Sequence, residues 1–323
     1  MRLPISDFRW QIDPAQRAAR IRNLQFAIRN SPAFSLIEIL IVVTMLSVII
    51  LGLVAMFGQT QRAFRAGMTQ TDVLEAGRMA TDLIGRELEQ VTPAYLPTTG
   101  WLLNNTTNIQ PNFFAWLPGY TPLVQPLPGS SRPRTNLLEE LFFLTRRNQE
   151  WISIGYFVRT NNPANGALDW PRVGGPTETV GVGTLYRFET NAPVLSGRNP
   201  AQMYQEFRAA TLDEFRASKI MDGVIHFRLR AYDTNGMWIT FNHGNIVATN
   251  VFAGGVGEYI FYSNAVPASV ELEIGILEDR AWERYKSLAD AAGKYRYITN
   301  QAGRVHLFLQ RIPIRSVDPL AYQ

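Results

Sequence analysis

Residues 34–57 read FSLIEILIVVTMLSVIILGLVAMF, an apolar run of 24 residues with a single charge, Glu38, near its start. As a helix this run is about 36 Å long, enough to cross a hydrocarbon core of about 30 Å. A cleaved secretory signal has a shorter apolar region of roughly 7–15 residues and no acid within it. The run therefore predicts a membrane anchor. A carboxylate in hydrocarbon is costly and normally meets a partner, so Glu38 is a functional candidate by its position alone.

The flanking charges give the anchor a direction. Residues 1–33 carry six arginines against Asp7 and Asp13, a net of +4. Basic flanks stay on the cytoplasmic side, which predicts an internal N-terminus and an external C-terminal region. The whole chain holds 31 basic and 27 acidic residues, so all of its formal net charge of +4 resides in this leader. The remainder is neutral and offers no argument for a nucleic-acid partner.

Ser31-Pro32-Ala33-Phe34-Ser35-Leu36-Ile37-Glu38-Ile39-Leu40 resembles the processing site of type IV pilin-like proteins. The resemblance implies cleavage between Ala33 and Phe34 by a prepilin peptidase and methylation of the new N-terminus at Phe34. Glu38 then stands at the fifth mature position. Ala33 departs from the family pattern, in which Gly usually precedes the cut. The resemblance further implies that Glu38 of one subunit pairs with the N-terminal amine of the next. An ion pair of this kind lowers the cost of both charges in an apolar setting.

Beyond the anchor, residues 59–91 contain no proline. Val73, Ala76, Ala80, Leu83, Ile84, Leu88 and Val91 recur at steps of three and four, the period of a helix with one apolar face. Arg78, Asp82 and Arg86 fall one turn apart on the other face. Thr92-Pro93 is a stop signal. Gly52, Gly58, Gly67, Gly77 and Gly85 each weaken a helix by up to about 1 kcal/mol relative to Ala, which predicts close packing or a point of bending.

Residues 93–137 are rich in Pro, with Trp101, Phe113, Phe114, Trp116 and Tyr120 among them, and read as an aromatic loop or insertion. Strand-like runs then dominate residues 138–323: 141–144, 151–158, 185–188, 224–231, 238–241, 270–274 and 305–314. Residues 161–183 read as an exposed loop, and 201–218 and 278–292 as helices. Asp233-Thr234-Asn235-Gly236 reads as a hairpin turn. It begins like a calcium loop but lacks the later acids that six to eight oxygen ligands require. The expected fold is α+β: a long N-terminal helix packed on a mostly antiparallel sheet. Its segments are a leader (1–33), a transmembrane helix (34–57), an amphipathic continuation (58–92), the Pro-rich segment (93–137) and a β-rich domain (138–323).

The order of Asp222-Gly223-Val224, Asn235-Gly236-Met237-Trp238 and Val266-Pro267-Ala268-Ser269-Val270 resembles J-type minor pseudopilins of type II secretion and W-type minor pilins. That resemblance implies a pilin-like fold and a periplasmic filament subunit. Its partners would be other pilin-like subunits, the prepilin peptidase, an inner-membrane assembly platform and secreted cargo. A membrane-tethered binding or adhesive protein that never assembles is the competing class.

Enzymatic signals are weak. The chain has no Cys, which removes thiolate nucleophiles, thiolate metal sites and disulfides. His226, His243 and His306 show no metal-ligand spacing, and His226 and His306 fall in strand-like runs. Nucleophile-elbow, phosphate-loop and dinucleotide fingerprints are missing. The pairs Glu139/Glu140 and Glu271/Glu273 read as solvated charges. No catalytic residue, metal or cofactor is expected.

Overall fold

The structure, a computed structural model, describes residues 35–96, 110–118, 122–161, 167–170, 181–194, 199–252 and 255–322. The chain divides into two compact units, Met1–Phe64 and Arg65–Gln323. Helix α1 (Leu36–Leu88) begins in the first and ends in the second. It stops close to the predicted Thr92-Pro93 signal. Val91 then forms an isolated bridge with Thr145, and the Thr92 N–H donates to the Leu144 carbonyl (2.9 Å), so the chain passes directly from helix into strand contact.

In the second unit a curled antiparallel sheet takes the order β12-β11-β8-β7-β5-β4-β1-β10-β9. The strands are β1 (Pro111–Trp116), β4 (Glu140–Arg147), β5 (Glu150–Asn161), β7 (Gly183–Pro193), β8 (Ser218–Tyr232), β9 (Ile246–Phe252), β10 (Gly255–Tyr262), β11 (Ser269–Leu277) and β12 (Val305–Pro313). Short β6 (Leu168–Asp169) pairs with β5, while β2 (Leu123–Gln125) and β3 (Arg134–Asn136) form a separate hairpin. The α+β class is thus as expected.

Alternation along the strands builds two cores. On β4, Leu141 and Phe143 join the cluster that holds Val73, Ala80, Ile84, Leu88 and Val91 from the α1 segment, while Phe142 and Leu144 point the other way. Each fully buried side chain of this size contributes about 1.5–3 kcal/mol. The predicted apolar stripe is therefore the face that α1 buries. The second cluster is capped by α2 (Pro200–Ala210), whose Met203, Tyr204 and Phe207 pack on Phe142, Phe157 and Phe188. Asn199 and Gln202 form a capping box, with Pro200 in the first turn. Gly155 on β5 lies directly beneath the Phe207 ring, and a Cβ there would come within 2.2 Å of it. A third cluster seats α3 (Asp279–Lys286) and α4 (Ala291–Thr299), through Trp282, Tyr285 and Ile298, on Ile225 and Leu277.

Several expectations shift. The segment 93–137 contains β1, which pairs with both β4 and β10, and also the β2–β3 hairpin. Pro111 is tolerated because it opens the strand. Residues 238–241 contribute a single bridge, Trp238 to Tyr232, instead of a strand. The helix expected over 201–218 ends at Ala210, and β8 already begins at Ser218. The helix expected over 278–292 is two helices. Asp290 caps the second by accepting from the Ala292 and Gly293 N–H groups, so the break is a fresh N-terminus. Most of the segment 161–183 lies outside the described residues.

Candidate functional site

The apolar half of α1 is exposed along its length. Every large hydrophobic residue between Leu36 and Phe57 is at least half exposed, from Leu36 at 83% to Ile50 at 50%. The helix is long and apolar enough to cross a membrane, which makes the chain compatible with a single-pass anchor. The two hydroxyl side chains of its apolar half are satisfied locally: Thr44 Oγ1 donates to the Ile41 carbonyl and Ser47 Oγ to the Val43 carbonyl, both at 2.8 Å. Such back-bonding spares hydroxyls from facing lipid unpaired.

Glu38 lies in the first turn of α1 and is exposed. Its N–H donates to the Ser35 carbonyl (3.0 Å) and also approaches Ser35 Oγ (3.3 Å). Ser35 therefore caps the helix, and the Glu38 carboxylate occupies the turn where the macrodipole favours a negative charge. Ala33 and Phe34, the expected cleavage pair, lie outside the described residues.

The far end of α1 is tied to the sheet by charge as well as by apolar packing. Glu87 receives Arg187 Nη2 at 2.6 Å and Nε at 3.0 Å, a two-pronged contact, and also the Tyr156 hydroxyl. Arg187, held by both Glu87 and Glu189, is raised above the ordinary arginine value even though burial opposes the shift. The Tyr156 hydroxyl is pushed up by burial and by the Glu87 charge. Arg315 pairs with Glu89 two residues further on, just past the end of the helix. These pairs leave no local signature, because Arg187 is 100 residues from Glu87.

The acid pairs read as solvated are not. Glu140 is fully buried between Arg159 and Arg208, the latter at 2.6 Å. Arg159 is equally buried and lies 3.1 Å from the Trp170 ring centre. Glu139 is 3% exposed, and its Oε2 accepts from the Leu229 N–H at 2.7 Å. Glu271 and Glu273 share one strand face, as expected. They are half-buried and both bind Arg230, which stands opposite Glu271 in the β8–β11 register. Cross-strand partners, invisible in a local reading, fill what looked like an open polar face.

The other candidates resolve into structural roles. His226 is buried on β8. Its Nδ1 accepts from the Leu137 N–H (3.1 Å) and its Nε2 meets Glu273 (3.1 Å). At Asp233 the carboxylate accepts from the Asn235 and Met237 N–H groups, and Gly236 takes φ +78°, so the expected turn forms. A cleft of about 450 Å3 beside β7 is lined by Arg187, Glu189, Phe215 and Arg216. Both of its arginines are engaged, Arg187 by two glutamates and Arg216 by Asp213. Among the described residues, no group of three or more His, Cys, Asp or Glu is placed to hold a metal ion.

Comparison with protein-family models, with curated proteins and with solved structures finds no match.

Proposed function

We propose that the chain is a minor pseudopilin or minor pilin, a non-enzymatic subunit of a periplasmic filament. In this reading a prepilin peptidase cuts before Phe34 and the new N-terminus is methylated. The subunit is held in the inner membrane until the assembly platform extracts it. One observation carries the reading: the Phe34–Glu38 motif heads a helix whose apolar first half is exposed and whose second half is buried on an antiparallel sheet. An exposed apolar helix fits lipid before assembly and neighbouring helices after it. Glu38, the lone acid in that surface, would take the amine of the adjoining subunit. Secreted cargo would meet the sheet domain.

A tethered, non-assembling protein is favoured by one residue, Ala33, at the position before the cut. Mass spectrometry of the mature N-terminus, with and without the peptidase, separates the two readings. A methylated, peptidase-dependent peptide starting at Phe34 supports a filament subunit, whereas an intact leader in both strains supports the tether. Replacing Glu38→Ala should leave membrane insertion intact and reduce filament incorporation at least about tenfold, for loss of about 1.4 kcal/mol or more of pairing energy. Wild-type incorporation by this variant would remove the ion-pair mechanism.

A further inference from the structure

Strands β7 and β8 overlap only briefly, from Gly183 opposite Val224 to Arg187 opposite Ser218. Beyond Val224, β8 runs on to Tyr232 past the start of β7, with β11 on its other side. The exposed ladder is taken up by Leu137–Glu139, the three residues that precede β4. The Phe227 N–H donates to the Leu137 carbonyl (2.7 Å), and the Glu139 N–H donates to the Phe227 carbonyl (2.8 Å). Leu138 makes a parallel bridge with Phe227. At the next position the backbone partner is replaced by a side chain, and the Leu229 N–H donates to Glu139 Oε2 at 2.7 Å. Glu139 thus completes the seam that joins β12-β11-β8 to the rest of the sheet.

A carboxylate is an unusual closure for a buried ladder. Glu139 is 3% exposed, and its Oε1 has no hydrogen-bond partner among the described residues. The groups acting on it are Arg228 and Arg230 from β8, Glu273 from β11 and Tyr259 from β10. The one acid among these groups, Glu273, is bonded to His226 and Arg230. A charged Glu139 would leave buried lone pairs unmet; a protonated one would leave only a neutral hydroxyl.

We propose that Glu139 is a proton-operated fastener, closing the seam between β8 and the Leu137–Glu139 segment when its carboxyl is protonated and loosening it when the carboxyl ionises. Burial pushes this carboxyl up to about 8, outweighing the opposing effects of the Leu229 N–H and Arg228. In the unfolded or opened chain it ionises near 4.5. Between those values the closed state holds a proton that the open state releases. The contribution to stability is therefore complete below about 4.5 and is lost as pH rises towards 8. His226 and Glu273, both lowered from their ordinary values, act in the opposite direction on the acid side, so their titration cannot mimic the effect.

The test is amide hydrogen exchange on the full chain in detergent micelles from pH 5 to 9, corrected for intrinsic exchange, in wild type and Glu139→Gln. The Gln carbonyl can still accept from Leu229 but carries no charge. In wild type, protection at Phe227 and Leu229 should fall about tenfold or more relative to β5 between pH 5 and 9, while the variant stays flat. An equal fall in both chains, or none in wild type, would overturn the proposal. A carbon-13 titration of the wild-type Glu139 carboxyl needs no variant: a midpoint near 8 supports the fastener and one near 4.5 refutes it.

Discussion

Glu140 and Arg159 form the most deeply buried ion pair among the described residues, and it is held by more than Coulomb attraction. Arg159 Nε also donates to the Thr211 carbonyl (3.0 Å) and Nη1 to the Val158 carbonyl (2.8 Å), so the guanidinium is fixed before the carboxylate arrives. Glu140→Ala would strip a buried cation of its carboxylate and should cost about 3–5 kcal/mol. Arg208→Ala should cost about 1 kcal/mol or less, because Arg208 is 35% exposed and Glu140 keeps Arg159. Denaturant unfolding of the two variants reads the difference directly; equal small losses would mean that water reaches the pair. None of this was legible locally. Two adjacent acids resemble a surface run, but Glu140 finds its partners 19 and 68 residues away and Glu139 its partner, Leu229, 90 residues away. The alternation of Glu271 and Glu273 was legible, but the presence of Arg230 opposite them depends on strand register.

At the scale of elements, α1 shows why one residue type can carry opposite meanings. A Cβ on Gly77 would come within 2.2 Å of the ring of Phe308, half-buried against the core, and 2.8 Å of the buried Ile276, whereas nothing lies within 4 Å of Gly67. Gly67→Ala should stabilise the helix by up to about 1 kcal/mol through propensity alone. Gly77→Ala gains the same propensity but overpacks the α1–sheet contact, and should destabilise by about 1–3 kcal/mol net. Thermal melts should move in opposite directions, and adding Phe308→Leu should recover much of the Gly77→Ala loss. Equal upward shifts would show that the close approach costs nothing. The helix itself was readable because its apolar residues repeat every three or four positions and its stop is a Thr-Pro pair. Strand β1 was hidden, since Pro111, Pro118 and Pro122 crowd the six-residue run PNFFAW and mask its apolar character. The break between α3 and α4 turned on a single carboxylate, Asp290, acting as a cap within an otherwise helical composition.

The whole molecule divides its labour along the sequence. The long apolar helix was legible because its length and composition are carried by contiguous residues, while the sheet order was not, because pairing depends on residues far apart in the chain. That division makes a prediction about folding. The apolar core of the second unit draws its first α1 residue from Val73, and Glu87 ties the far end of the helix to Arg187. The unit boundary at Arg65 precedes both. Among the described residues, removing 35–64 takes away the exposed apolar surface but no buried side chain of that core. The truncated chain 65–323 should be soluble without detergent and unfold in one cooperative transition, within about 1 kcal/mol of the full chain in micelles. The residues ahead of Val73 should fray, since an isolated helical end without tertiary packing is marginal in water. Circular dichroism and denaturant titration of the two chains decide the matter. A truncated chain that aggregates or melts several kcal/mol earlier would show that the apolar half of α1 supports the sheet domain.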